Sequence, residues 1–158
     1  MPYLDLFPCS ELYYGVIGKG WKRLTIVPSI EGASVSFTAT NKVVMGNSVW
    51  VPSGTSVTYT VSATGYNTET DTVVVTQNVT IPIELEVSMF TLTINPDPAN
   101  ATVVLTAPDY EQEGNSITVP YNSIVDYTVS ATGYDTISSS IIVLEDIVKT
   151  VVLEQDLI

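Results

Sequence analysis

Apolar and polar residues alternate with a period of two along several short stretches of the chain. The stretch 33–39 alternates apolar residues with Ser34, Ser36 and Thr38, and the stretch 57–63 alternates in the same way. This alternation is typical of half-buried β-strands. Clusters of Gly, Pro, Asn and Ser separate such stretches, and no segment sustains the period of an amphipathic helix. The pattern therefore predicts an all-β protein.

Turn-forming residues refine the strands of the first half. Gly46-Asn47 lies in the middle of an apolar run and suits a tight hairpin turn. Gly65 is expected to adopt a backbone conformation that a side chain would disfavour. Pro82 cannot donate a ladder hydrogen bond, so its strand is predicted at a sheet edge or at a bulge. The predicted strands are residues 24–27, 33–39, 43–51, 57–63, 72–76 and 79–85, with a turn at 28–32.

The pattern occurs twice. Residues 59–66 recur letter for letter at 127–134, and the same offset aligns 24–86 with 92–154 without a gap, with 26 of 63 pairs identical. A repeat of this length predicts one folding unit per copy. We therefore expect two tandem small Ig-like (transthyretin-like) antiparallel β-sandwiches preceded by an extended N-terminal arm. The predicted boundaries are 1–23 for the arm, 24–87 for module 1 and 88–158 for module 2.

Three segments of the first copy, 28–35, 51–52 and 59–66, resemble the PEGA module. In that module a proline-containing turn leads into an Ala-x-Val strand, and a later strand ends in Gly-Tyr. The resemblance implies a small Ig-like sandwich, but such modules occur as spacers and as adhesion units, so it specifies no role. The second copy lacks the Glu-Gly pair of the turn and keeps Pro96, Ala101, Val103 and Gly133-Tyr134.

The charge of the chain excludes some partners. The 158 residues carry a net charge of −12, and residues 87–158 alone combine Lys149 with ten carboxylates. An acidic body repels nucleic acid and anionic lipid, so neither is an expected partner. The chain has no run of about 18–20 apolar residues that would span a membrane. Its start has no basic region typical of a signal peptide, and we expect a protein made in the cytoplasm without export.

Few residues could support catalysis or bind a cofactor. Histidine is absent, and the single cysteine, Cys9, has no candidate catalytic partner. The sequence therefore predicts no enzyme, no cofactor and no metal centre. Asp109, Glu111 and Glu113 resemble the opening of a calcium loop, but Pro120 occupies the position of the bidentate Glu. We expect an acidic hairpin tip there, and weak calcium binding stays open.

The differences between the copies predict a contact surface. In the first copy, apolar residues occupy four positions where the second copy has acids, an amide and a hydroxyl. An apolar patch whose counterpart is polar is typical of a binding surface. The alternative is that the tryptophan in this set folds back over its own sandwich. The four residues of this predicted surface are Val43, Val44, Met45 and Trp50, aligned with Glu111, Gln112, Glu113 and Thr118.

The arm is the second predicted binding element. It holds five aromatic residues and a small positive charge, which suits docking onto a larger, acidic or mixed surface. Disordered tails are usually poor in aromatics, although a disordered leader is the alternative reading. The predicted anchors are Tyr3, Phe7, Tyr13, Tyr14 and Trp21.

Tandem acidic modules behind a short docking segment also resemble accessory proteins of tailed-phage virions. The resemblance implies a non-enzymatic capsid decoration or head-fibre protein, docked by its arm onto capsid or tail subunits, with module 2 projecting outward. Alternatives are a tail accessory protein and a surface-adhesion or carbohydrate-binding module that uses Tyr110 or Tyr121. Tyr66 and Tyr134 fit a structural role better than a glycan-stacking role. The sequence leaves homo-oligomerisation open.

Overall fold

The computed structural model describes residues 20–156, and this part of the chain is all-β, without a helix. The chain divides into two compact units between Glu86 and Val87. The names module 1 and module 2 are used below for the units before and after this point. Each module contains seven strands in two sheets, which confirms the predicted tandem β-sandwiches.

Module 1 consists of a four-stranded sheet in the order β3-β4-β1-β7 and a three-stranded sheet in the order β2-β5-β6. Its strands are β1 (Trp21–Pro28), β2 (Ser34–Thr38), β3 (Val43–Met45), β4 (Ser48–Pro52), β5 (Thr55–Ser62), β6 (Glu69–Val75) and β7 (Val79–Ile83).

Module 2 repeats this arrangement, with a four-stranded sheet β10-β11-β8-β14 and a three-stranded sheet β13-β12-β9. Its strands are β8 (Met89–Asp97), β9 (Thr102–Thr106), β10 (Gln112–Glu113), β11 (Ser116–Pro120), β12 (Ser123–Ser130), β13 (Ile137–Val143) and β14 (Ile147–Val152).

Each module has its own apolar core between its two sheets. Leu24 in β1 and the equivalent Leu92 in β8 are both fully buried. The alternation predicted for β2 and β5 is confirmed, because Phe37, Tyr59 and Val61 are buried while the serines of β2 are exposed. Every buried side chain among the described residues is apolar or a tyrosine, so burial of apolar area dominates the stability of both modules.

The sheets are not purely antiparallel, which corrects one detail of the prediction. β7 runs parallel to β1, with Ile81 opposite Ile26, and β14 runs parallel to β8 in the same way. The chain crosses from the three-stranded sheet to the four-stranded sheet before the last strand of each module. The last strand therefore lies beside the first and runs in the same direction, which the apolar alternation does not encode.

The predicted turns and edges are confirmed at three positions. Gly46 (φ 55°) closes the hairpin between β3 and β4, and Gly65 (φ 82°) has the expected left-handed backbone. Pro82 lies in β7, which is an edge strand.

The first strand begins earlier than predicted. β1 starts at Trp21 because residues 21–25 pair with Ser48–Pro52 of β4. Trp21 therefore belongs to module 1, although the sequence assigns it to the arm.

The separate cores allow module 1 to be followed selectively, since both tryptophans lie in it. We expect Leu24→Ala to lower the free energy of unfolding of module 1 by about 2–5 kcal/mol, because the side chain is fully buried. Tryptophan fluorescence during urea unfolding measures this change. The matched control Leu92→Ala should leave the fluorescence midpoint in place and shift only the circular-dichroism transition of module 2. Equal fluorescence shifts in both variants would contradict two independent cores.

Ionisation of Tyr59 is expected to lower the stability of module 1 at alkaline pH. Burial first, and then the negative charges of Asp71 and Glu69 with a hydrogen bond to Asp71, raise the pKa of this phenol. An unfolded tyrosine has a pKa of about 10, so the unfolded chain loses this proton first as the pH rises. The contribution of the protonated Tyr59 phenol to the stability of module 1 is therefore complete below pH about 10. It is lost as the pH rises through the raised pKa of the folded state. Fluorescence-monitored unfolding between pH 8 and 11 should show a steeper loss for the wild type than for Tyr59→Phe, and equal slopes would contradict the assignment.

Candidate functional site

The outer face of the four-stranded sheet of module 1 brings together most of the predicted contact residues. Leu24 and Ile26 of β1 point into the core, so Trp21 and Arg23 lie on the opposite, outer side. In β4 the same alternation places Trp50 outward, between the buried Val49 and Val51.

The strand register then joins these residues into one surface. Trp50 lies opposite Arg23 of β1 on one side and opposite Val43 of β3 on the other. Directly opposed residues of an antiparallel pair share a face, so their side chains are neighbours. Trp21 lies opposite Pro52, diagonal to Trp50. We call this surface the tryptophan face. Its residues are Trp21, Arg23, Val43, Met45, Trp50 and Pro52.

The tryptophan face is accessible to a partner. Met45 is 44% exposed, and Trp21, Val43 and Trp50 are half-buried. Trp50 lies on the outside of the sheet and is not among the residues packed against the core between the sheets. Large, partly buried aromatic side chains on a rigid sheet are typical anchors of protein interfaces.

Val44, the fourth residue of the predicted set, lies on the other side of the sheet from this surface. Val44 lies opposite Val49, whose side chain is buried in the core. A residue and its direct partner share a face, so Val44 lies on the inner side of the sheet. It is still 43% exposed, because β3 is a three-residue strand at the sheet edge.

The equivalent face of module 2 is more polar, although it keeps two apolar residues, Met89 in place of Trp21 and Pro120 in place of Pro52. The residue aligned with Trp50 is Thr118, whose hydroxyl forms a 2.8 Å hydrogen bond with the hydroxyl of Thr91, the counterpart of Arg23. Met45 is replaced by Glu113, which lies opposite Ser116. The two sheets share strand order and register, and each has one serine–threonine hydroxyl pair at 2.8 Å. The contrast between the faces therefore comes from the side chains alone.

Arg23 gives the tryptophan face a positive charge. It is exposed, its backbone N–H donates to Asn78 Oδ1 at 2.9 Å, and its register partner is Trp50. The whole chain has only five basic residues against seventeen acids. A guanidinium beside an aromatic ring can form a bidentate pair with a partner's carboxylate while the ring packs against apolar surface.

The remaining predicted site residues lie either outside the described part of the chain or elsewhere in the two modules. The predicted anchors Tyr3, Phe7, Tyr13 and Tyr14 lie outside the described residues. Tyr66 and Tyr134 pack against the cores of their own modules, as expected for a structural role. In module 2, Tyr110 is 38% exposed. The Tyr121 ring packs edge-on against the Phe90 ring, with 6.4 Å between the ring centroids.

The acidic side chains of the module 2 hairpin are not clustered in the described structure. Asp109 occupies a tight turn with φ of 64°, and Tyr110 in that turn donates its N–H to the carbonyl of Ala107 at 3.4 Å. Within residues 20–156, no group of three or more carboxylate, cysteine or histidine side chains is arranged to hold a metal ion, Asp109, Glu111 and Glu113 included.

Register is the information that sequence reasoning lacked. Trp21, Arg23 and Pro52 join Trp50 only because β1 pairs with β4 from Trp21 onward. One signal in the sequence could have shown that β1 starts early. Trp21, Arg23 and Thr25 alternate with Lys22 and Leu24, and this alternation extends the predicted first strand into the arm.

Comparison with known proteins gives no family. No protein-family model matches the chain, and no curated protein matches it. The solved structures that resemble it include the Bacillus anthracis TIE protein, with 10% sequence identity and a TM-score of 0.44. That match covers 85% of this chain and 33% of the TIE protein, so the chain spans about a third of its length. Among residues 20–156, no helix is long and apolar enough to cross a membrane.

Replacing residues of the tryptophan face by their counterparts from module 2 should leave module 1 folded, because the equivalent sheet of module 2 has those counterparts at the same positions. We expect Trp50→Thr/Met45→Glu to change the free energy of unfolding of module 1 by less than about 1 kcal/mol, the usual contribution of exposed cross-strand pairs. The matched control Val49→Thr places the hydroxyl on the core side, where an unpaired hydroxyl costs about 1–3 kcal/mol. Fluorescence of the remaining Trp21 and circular dichroism measure both changes. A larger loss in the outer-face variant would contradict the assignment of the face.

Proposed function

We propose that this protein is a non-enzymatic structural component of a larger assembly and that it docks through the tryptophan face of module 1. The observation that carries the proposal is the contrast between two sheets of the same topology and register. One presents Trp21, Met45 and Trp50 outward, and the other presents threonines and acids at most of these positions. Folding of the module does not require Met45 and Trp50, since the second copy folds with Glu113 and Thr118 at these positions, although it has Met89 in place of Trp21. Binding to a partner would explain the apolar residues that module 1 has on its outer face.

The charge distribution favours an acidic or mixed partner surface. The tryptophan face contains Arg23, and residues 1–23 carry three basic side chains against two acids. Module 2 is strongly acidic and is left facing solvent in this proposal, where its charge opposes non-specific association. Residues 1–19 contain four further aromatic residues and precede β1 in the sequence.

The assembly that we propose is a tailed-phage virion, with the protein as a capsid decoration or head-fibre subunit. Support comes from the resemblance of tandem acidic Ig-like modules behind a short docking segment to virion accessory proteins. The PEGA-like sequence pattern of both copies supports a spacer-like body for such a subunit.

Co-sedimentation with purified virions from the source culture tests this proposal. We expect the full chain to pellet with virions and to cross-link to a coat or tail protein identified by mass spectrometry. The variant Val43→Glu/Met45→Glu/Trp50→Thr should bind at least about tenfold more weakly, because buried aromatic anchors dominate interface energies. A deletion of residues 1–19, which stops before β1, should also weaken binding.

A matched control separates docking from folding. Glu113→Gln/Thr118→Ala changes the equivalent face of module 2 and should bind like the wild type. Failure of the wild-type protein to pellet with virions would refute the phage assignment. Unchanged binding of the tryptophan-face variant would refute the docking surface. Glycan binding that disappears on Tyr110→Ala would instead support the adhesion alternative.

A further inference from the structure

Eight strands lie at sheet edges in the described structure, two for each of its four sheets. An exposed edge offers unpaired backbone N–H and C=O groups to any other strand. Natural proteins block such edges with short strands, Pro, charged side chains or a covering group. An edge strand that has none of these features remains open to a partner.

The edges of the four-stranded sheets are all protected. β3 and β10 have only three and two residues. β7 contains the exposed Pro82. β14 has Lys149 opposite the buried Ile94, which places a charged side chain on the core side of an edge strand.

Two edges of the three-stranded sheets are closed by side chains that bind the strand backbone. The Lys42 ammonium group donates to the carbonyl oxygen of Phe37 in β2. In module 2, the Gln112 amide substitutes for a neighbouring strand. Its Oε1 accepts from the Leu105 N–H at 2.7 Å, and its Nε2 donates to the Val103 carbonyl at 2.8 Å.

The last pair of edges differs between the modules. β6 of module 1 carries Glu69 and Asp71, whose charges would repel a second strand of the same kind. At the aligned positions β13 of module 2 carries Ile137 and Ser139, and the strand has no charge, Pro or Gly. The hydroxyl of Ser138 forms a hydrogen bond with Thr128 of the neighbouring strand β12, so this side chain does not cover the open edge.

We propose that β13 is a self-association edge, at which it pairs antiparallel with β13 of a second copy of this chain. A two-fold axis at Ser140 would place Ile137 opposite Val143 of the copy and Ser139 opposite Ile141. This register keeps core-side residues on the core side, because paired residues differ by an even number of positions. The two three-stranded sheets then form one continuous six-stranded sheet with an isologous interface.

The residues of β13 offer no charge repulsion to a second copy, whereas those of the equivalent edge β6 do. Between the paired strands the β13 seam has no charged side chain, whereas pairing two β6 strands would gather four carboxylates. Just beyond the ends of β13, the same register brings Asp135 of each copy towards Glu145 of the other. The rest of the chain opposes association, since each copy has a net charge of −12. Added salt screens this repulsion, so association through a neutral seam strengthens with ionic strength.

The strength of the association follows from its size. One pair of seven-residue strands buries less than the roughly 1,200 Å² of a standard interface, which places the dimer among weak complexes. Sedimentation velocity of the full chain between about 5 and 500 μM should therefore show a concentration-dependent dimer, which a single charge at the seam disrupts.

Ser139→Asp is the test variant, because it restores the residue that β6 has at the same position of the same fold. We expect it to be monomeric throughout the concentration range. The matched control Thr102→Asp puts the same charge on β9, the edge that Gln112 closes, and should dimerise like the wild type. A monomeric wild type at 500 μM in high salt, or a dimer that Ser139→Asp leaves intact, would overturn the proposal.

Disulfide trapping tests the register independently. Opposed residues of an antiparallel pair have Cα atoms about 4.5–5.5 Å apart, within the disulfide range of roughly 4.4–6.8 Å. In a Cys9→Ser background, Ser140→Cys should form covalent dimers on mild oxidation, since this residue lies on the proposed axis. The control Thr72→Cys occupies the same place in β6 and should stay monomeric. Equal cross-linking of both variants, or none in Ser140→Cys, would contradict the pairing.

Discussion

The structure depends on one constraint: each strand of a module buries one side against the facing sheet and leaves the other side outward. Leu24 and Val49 are fully buried, and their neighbours Arg23 and Trp50 therefore face outward. Because the side-chain period is two, the core and the candidate binding surface are specified by alternate residues of the same strands. A register slip by one residue would exchange them.

This constraint makes the duplication informative. The two copies keep the same strand order, the same mixed sheets and matched buried positions such as Leu24 and Leu92. Their outer faces and edges are free to differ, since little of the folding energy depends on them. The tryptophan face of module 1 and the open edge β13 of module 2 are two such differences. We infer that the modules have specialised, module 1 for docking and module 2 for association with its own copies.

The sequence predicted the fold well and the surface in part. Alternation and turn residues identified the strands around Phe37, Tyr59 and Gly46, because half-buried strands have a local pattern. Strand direction and register are non-local, so the parallel β1–β7 pair was missed. For the same reason the sequence assigned Trp21 to the arm and grouped Val44 with residues that lie on the other side of the sheet. Edge protection by Gln112 was also invisible, because it depends on a side chain reaching across to β9.

Hydroxyl-radical footprinting of the protein bound to virions tests the central claim most directly, since tryptophan and methionine side chains report their own accessibility. The account predicts that Trp21, Met45 and Trp50 become protected on binding, while Met89 and Tyr110 of module 2 keep the oxidation rates of the free protein. Protection of the module 2 residues with an unchanged tryptophan face would contradict docking through module 1.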